Sequence, residues 1–332
     1  MIQLALTAVA LAAAATPLVR QAVLRFGVMD VPNTRSSHDT PVARGGGIAV
    51  VAAVVGAALC AFLTSWPAPW WPALAAAIVL AGVGLWDDVA GLGSLPRLAL
   101  QISVGAALGI ALSATEGTQL LLWATLSVIL VPLSVNVINF MDGVNGITAV
   151  TMLVWGASMW WAADRYNEPT VAALGVITAG ASMGFLPYNA PRATLFLGDV
   201  GSYGLGTLVG ATTLLALSRG LTPALVLAPL VPYFSDVLIT LLRRRIRGTA
   251  LLSAHREHAY QLLVRPGGWP HFAVALLWGA LSVVCTLAAM SEKTYLSICI
   301  FTLIAMTTWL ISVRLSRRLL NTQTQMPTVI DG

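Results

Sequence analysis

Charge is what this sequence has least of. Only 9% of its 332 residues are Asp, Glu, Lys or Arg, where a soluble domain carries about 25%. That scarcity, with 58% hydrophobic residues, excludes an ordinary water-soluble domain and implies an all-α polytopic membrane protein. Cysteine is also scarce. Cys60, Cys285 and Cys299 all lie in apolar runs without ligand-like spacing, which excludes a disulfide frame or a cysteine zinc site. Long polar segments are missing too: the longest spans about 28 residues, short of the roughly 50 that a separate domain needs. No internal repeat is visible. The net charge of +5 would suit nucleic acid in a soluble protein, but in a membrane protein the placement of charge matters more than its sum. No nucleic-acid partner is expected.

What is present is a series of apolar runs, each near the 17 to 25 residues that cross a bilayer. The expected spans are 2–19, 45–64, 70–86, 98–114, 120–138, 148–163, 171–186, 202–218, 222–242, 271–290 and 296–313, about eleven helices in all. The first resembles a signal peptide in length but lacks a basic leading region, and it reads as an uncleaved helix. Alternate loops then fall on opposite sides. Every one of the 18 basic residues except Arg165, Arg219 and Lys293 lies on one side. Positive residues favour the cytoplasm, so the expected orientation has the N-terminus outside and the C-terminus inside. Residues 1–318 form one transmembrane domain in this reading, and 319–332 a polar, disordered tail.

Polar groups collect on the cytoplasmic side of that scheme. The stretch Asn136-Val-Ile-Asn139-Phe-Met-Asp142-Gly143-Val-Asn145-Gly146 places amides and a carboxylate on one helix face. Such groups are costly in hydrocarbon and mark either a site or an interhelical hydrogen-bond cluster. Asn136, one turn deeper, fits the structural role. The first loop carries Asn33, Arg35, His38 and Arg44 before Gly45-Gly46-Gly47. Arginines there can grip phosphate, and glycine N–H groups at a helix start can approach an anion. A basic loop against lipid head groups explains the same residues. Asp87 and Asp88 are adjacent; two carboxylates so placed repel, so at least one needs a cation, a donor or a proton. They point about 100° apart on a helix, which suggests different roles rather than joint chelation. Asn189, Arg192, Phe196 and Asp199 follow in a fourth loop, with Asp199 between Gly198 and Gly201 near a helix start, where the dipole favours a carboxylate. The fifth loop carries His255, Arg256 and His258; the basic groups there suit phosphate oxygens. Asp236 lies deep in a predicted span, two turns from Arg243, where an ion pair or helix–helix hydrogen bond is expected.

Together these loops resemble the polyprenyl-phosphate N-acetylhexosamine-1-phosphate transferases. The matching pieces run in family order from Asp30, Pro32, Asn33, Arg35, His38, Pro41 and Arg44-Gly-Gly-Gly through Asp87-Asp88 and Asn136…Asn139…Asp142-Gly…Gly146. They continue with Asn189…Phe196-Leu-Gly-Asp199…Gly201-Ser202 and His255-Arg-Glu-His258. The resemblance implies Mg2+, with Mn2+ as the alternative, held by Asp199 and Asn139. It implies reacting groups at Asp87, Asp88, Asp142, His255 and His258. It implies substrate contacts at Asn33, Arg35, His38, Arg44, Asn139, Gly143, Asn145, Asn189, Phe196 and Arg256, with Gly143, Asn145, Asn189 and Phe196 shaping a uridine pocket. A third His after the last pair is replaced by Ala259-Tyr260, an acid at the Asn145 position is absent, and so is a Lys after the paired acids. These departures point away from the peptidoglycan-precursor enzymes, while the arginine-bearing first loop and His255-Arg-Glu-His258 most resemble the bacterial enzymes that start O-antigen-like polysaccharides.

The implied reaction is transfer of a HexNAc-1-phosphate from a UDP-HexNAc donor to undecaprenyl phosphate in a bacterial inner membrane, releasing UMP. A homodimer is compatible with this reading. The alternative is a non-enzymatic lipid or solute transporter or flippase, but transporters place binding groups near the midplane, often within repeats, and here the polar groups gather at one face.

Overall fold

The computed structural model describes residues 1–32, 40–64, 70–117, 119–250, 256–291 and 293–324, with side chains as far as Leu315. The expected substrate contacts Asn33, Arg35 and His38, and the expected reacting group His255, lie outside the described residues.

The chain is a helical bundle, and a long helix stands at each run that hydropathy marks. In order they are α1 (Ile2–Arg25), α2 (Gly47–Leu63), α3 (Trp71–Ala90), α4 (Ser94–Glu116), α5 (Leu120–Met141), α6 (Ile147–Arg165), α7 (Pro169–Asn189) and α8 (Gly198–Ser218). Then come the short α9 (Pro223–Leu227), α10 (Val231–Ile246), the short α11 (Ala259–Val264), α12 (His271–Met290) and α13 (Thr294–Thr324). Among the described residues, nine helical stretches are long and apolar enough to cross a membrane; α2 and α6 are the runs that fall outside that set. The span expected over 222–242 is broken. A single 3-10 turn, Ala228–Leu230, separates α9 from α10, where Pro229 and Pro232 remove backbone donors and crowd the preceding turn.

At the centre stands α8, buried at every residue from Gly198 to Ala216 except Asp199, which is partly exposed. Its small residues explain why. Without a hydrophobic drive between helices in lipid, close van der Waals packing through Gly, Ala, Ser and Thr holds bundles together. A Cβ on Gly206 would stand 2.6 Å from the Cα of Val135 on α5, so only glycine admits that approach. Helices α3 and α5 flank α8 most closely, and this packing carries their C-terminal ends to the N-terminus of α8.

A small sheet, absent from the sequence expectation, closes that end. β1 (Met29–Asp30) pairs antiparallel with β2 (Val42–Arg44), and β2 pairs parallel with β3 (Leu195–Phe196), Arg44 lying opposite Phe196. The triple glycine is used here too. Gly45 and Gly46 donate their N–H groups to the Phe196 carbonyl at 3.2 and 2.8 Å, and Gly47 donates to Leu197 O at 2.8 Å. The expected anion-facing amides are therefore spent on joining the first loop to the fourth.

Candidate active site

Four helix ends and β2 meet at the N-terminus of α8. The structure extends α3 through Asp87 and Asp88 to Ala90, so both acids ride on its last turn. Likewise α5 continues to Met141, placing Asn139 on its last turn and Asp142 at its C-cap. Asp199 occupies the first turn of α8. Gly84, one turn before Asp88 on α3, permits the contact between the two helices, because a Cβ there would lie 2.2 Å from the Asp199 carbonyl oxygen.

The paired acids have separate surroundings. The side chain of Asp88 is wholly buried. Its Oδ1 accepts the Asp199 N–H at 2.9 Å and its Oδ2 the Val200 N–H at 3.0 Å. It thus satisfies two of the first-turn amides that any helix leaves open. Gly198 has φ +76°, and a Cβ there would press on Asp88 Oδ2 at 2.7 Å, so glycine is required twice over. The Oδ1 of Asp87 accepts the Leu92 N–H at 2.7 Å. Its Oδ2 accepts Nη1 of Arg97 at 2.6 Å and the Tyr203 hydroxyl at 3.2 Å.

Asp199 lies between them. Its carboxyl group meets that of Asp87 across the gap between α3 and α8. Its Oδ1 accepts Nδ2 of Asn139 at 2.8 Å and Nη2 of Arg44 at 2.9 Å. Arg44 Nε also reaches Asp88 Oδ1 at 2.7 Å, so one guanidinium bridges two acids in the forked geometry that arginine favours. The carboxylates Asp199 and Asp88 beside it raise the Arg44 pKa against the opposing effect of burial. Asn139 also donates to Ser202 Oγ at 3.0 Å. Half-buried Asp142 has its pKa pushed up to about 6, by burial first, with the Asp88 charge adding to it and Thr148 and Arg44 opposing it.

Other expected residues serve the frame of the site. Asn189 is buried; its Oδ1 accepts the Gly146 N–H at 2.8 Å and its Nδ2 donates to Leu195 O at 3.1 Å. Asn145 donates from Nδ2 to Pro191 O at 3.1 Å. Phe196 offers its carbonyl to Gly45 and Gly46. Asn136 joins Gln101 on α4 at 2.7 Å, as glue between helices. Asp236 is buried, and it holds His258 Nδ1 at 3.3 Å together with the amides that begin α11. Glu257, just before it, ties Arg244 and Arg247 at 2.6 and 2.9 Å. Arg256 lies in this same connection, half-buried.

Sequence reasoning missed Arg97, Tyr203 and Tyr260 as parts of this end, and gave Ser202 a place in the motif without a role. Tyr203 was within reach of it, because a residue four places after Asp199 shares its helix face.

A hard divalent cation suits this donor set. Among the described residues no three acidic, histidine or cysteine side chains close on one point, so the protein offers few ligands. Mg2+ is content with one or two carboxylates, water and substrate phosphates. Carboxyl groups of Asp87 and Asp199 that face each other also gain from a positive charge between them.

Comparison with known proteins bears on what such a site does. Residues 70–217 match the family model described as glycosyl transferase family 4. The chain is 30% identical to the decaprenyl-phosphate N-acetylglucosaminephosphotransferase of Mycobacterium tuberculosis, over 86% of this chain and 81% of that protein. It is 24% identical to the probable undecaprenyl-phosphate N-acetylglucosaminyl 1-phosphate transferase of Bacillus subtilis, over 85% and 83%. It is also 30% identical to the phospho-N-acetylmuramoyl-pentapeptide-transferase of Clostridioides difficile, over 45% of this chain and 46% of that one.

Proposed function

The chain belongs to the polyprenyl-phosphate N-acetylhexosamine-1-phosphate transferases, and from that membership we propose that it transfers a HexNAc-1-phosphate from a UDP-HexNAc to undecaprenyl phosphate. A phosphate oxygen of the lipid forms a bond to the β-phosphorus of the donor. The bond from that phosphorus to the bridging oxygen breaks, and its electron pair leaves with UMP. Whether this happens in one displacement or through an enzyme-bound intermediate does not change the balance.

The observation that carries this reading is the junction of Asp199, Asp87, Arg44 and Asn139 at the N-terminus of α8. Phosphoryl transfer needs positioning and neutralisation of charge more than covalent help from the protein. Mg2+ would be held by Asp199 and, with its amide turned to present Oδ1 in place of the Nδ2 that faces Asp199, by Asn139; when bound it would neutralise the pyrophosphate and the departing UMP. Arg44 is placed to grip phosphate beside it. Asp88 is committed to two amides and Arg44, so of the adjacent acids we assign Asp87 to the reacting phosphates. Its contacts with Arg97 and the Leu92 amide orient it towards that role.

We assign the protein to a bacterial inner membrane with this end of the bundle in the cytoplasm, where UDP-sugars are found, and to the first membrane step of an O-antigen-like or cell-wall glycan. The test is a donor panel. Purified protein with Mg2+, undecaprenyl phosphate and each of several UDP-HexNAc sugars is analysed by mass spectrometry of the lipid product. One donor should yield undecaprenyl-diphosphate-HexNAc. A product lacking the sugar phosphate, or no lipid product with any donor, refutes the proposal.

A further inference from the structure

The segment after His258 is tied down from inside the bundle. Asp236 on α10 is fully buried; its Oδ1 accepts the Ala259 N–H at 2.8 Å and its Oδ2 the Tyr260 N–H at 3.1 Å. The six-residue helix α11 is far too short to be stable alone, and this carboxylate satisfies its opening amides. The backbone of Tyr260 is thereby fixed. Its ring is fully buried, stacked on His258 at 5.7 Å and edge-on to Trp278 at 6.4 Å between centroids.

The Tyr260 hydroxyl then reaches the end of α5. It donates to the Phe140 carbonyl at 2.8 Å, one of the last carbonyls that the helix leaves without an internal partner. Gly143 lies against it. A Cβ on Gly143 would stand 2.2 Å from the hydroxyl oxygen and 3.1 Å from Cε2 and Cζ. Phe140 is flanked by Asn139, which holds Asp199, and is two residues before Asp142.

We propose that Gly143, Tyr260 and Asp236 form one docking joint. Gly143 is glycine in order to admit the Tyr260 hydroxyl, and Asp236 and Tyr260 are positioning residues that keep the end of α5, and with it Asn139 and Asp142, in place against Asp199. The resemblance gives Gly143 to a uridine pocket; this geometry gives it to tyrosine. The joint itself is geometric, and only its activity readout rests on the proposed reaction.

A mutant cycle on the full-length protein in detergent tests it, using Gly143→Ala, Tyr260→Phe and the double substitution. Gly143→Ala should lower the unfolding temperature and reduce kcat by about tenfold or more, as misplacement of a site by an ångström does. Tyr260→Phe should lower kcat with donor KM within about twofold, since a positioning loss falls on turnover rather than uniform binding. Removing the hydroxyl relieves the worst clash, so the double variant should recover much of the stability and turnover lost in Gly143→Ala. Asp236→Asn should follow Tyr260→Phe in its split between kcat and KM. A double variant as impaired as Gly143→Ala, or Tyr260→Phe acting on donor KM alone, overturns the joint. Should wild type turn over no donor, the proposed reaction fails while the unfolding temperatures still decide the cycle.

Discussion

Asp88 on α3 accepts the backbone N–H of Asp199 on α8 at 2.9 Å. One acid of the site therefore aims another. Its second oxygen takes the Val200 N–H, so α8 is capped by a side chain from a different helix. Arg44 completes the arrangement by bridging both carboxylates.

Asp88→Ala leaves the Asp199 and Val200 amides without their acceptor, while Arg44 keeps its pair with Asp199. The loss of a helix cap costs about 0.5–2 kcal/mol, a buried amide left without an acceptor about 1–3 kcal/mol, and the lost pair with the partly exposed Arg44 about 1 kcal/mol or less. A destabilisation of about 3 kcal/mol is expected, and Asp88→Asn, which keeps one acceptor, should lose less. Unfolding in mild detergent measures both.

Asp87 depends on Arg97 for its orientation, through a 2.6 Å ion pair that spans the turn between α3 and α4. Arg97→Gln is expected to lower turnover by about a hundredfold, at the low end of what general acid–base groups contribute. Tyr203→Phe removes a longer, 3.2 Å bond and should cost several-fold. Turnover at saturating donor ranks the two, and the opposite ranking contradicts the assignment.

Asp142 offers a pH signature. Burial pushes its pKa up to about 6, above the ordinary carboxylate range, so the folded protein binds this proton more tightly than the unfolded chain. Ionised Asp142 therefore costs stability above about pH 6, by at most about 3 kcal/mol and less once solvent screens it. Asp142→Asn should be more stable than wild type at pH 8. That advantage should shrink as pH falls through 6 towards 4. Unfolding midpoints at a series of pH values test the sign.

At the opposite end of the bundle Arg219 grips Glu116 with two bonds of 3.0 Å and Glu168 with one of 2.7 Å, joining the ends of α4, α7 and α8. These groups are partly exposed, so the cluster is worth about 1 kcal/mol or somewhat more as a network. Arg219→Ala should lower the unfolding temperature slightly and leave turnover at permissive temperature unchanged. A large loss of turnover would show that the two ends are coupled.

Hydropathy located the helices well and their ends poorly. A run stops, for that purpose, at its first charged residue, but backbone hydrogen bonds continue the helix. Thus Asp87, Asp88, Asn139 and Asp199 fall beyond the bounds of the expected spans yet sit on helix termini, in keeping with their reading as residues at helix ends. The assignment of Asn136 to structure agrees with its bond to Gln101. Asp236, expected in an ion pair or helix–helix bond, joins α10 to α11 by accepting the α11 amides and meeting His258. The pairing of Arg44 with Phe196 and the reach of Tyr260 to Phe140 join residues more than a hundred positions apart. No local pattern of hydrophobicity or propensity carries such contacts, because they are made by tertiary packing between elements far apart in sequence.

The most direct test of the account is UMP release by wild type and Asp199→Asn across a Mg2+ titration, with undecaprenyl phosphate and the best donor from the panel. Wild type should release UMP only with Mg2+ present, and Asp199→Asn should keep its fold while losing most activity and needing far more Mg2+ for what remains. Equal turnover and an unchanged Mg2+ titration in Asp199→Asn would contradict the account, as would no turnover by wild type with any UDP-HexNAc.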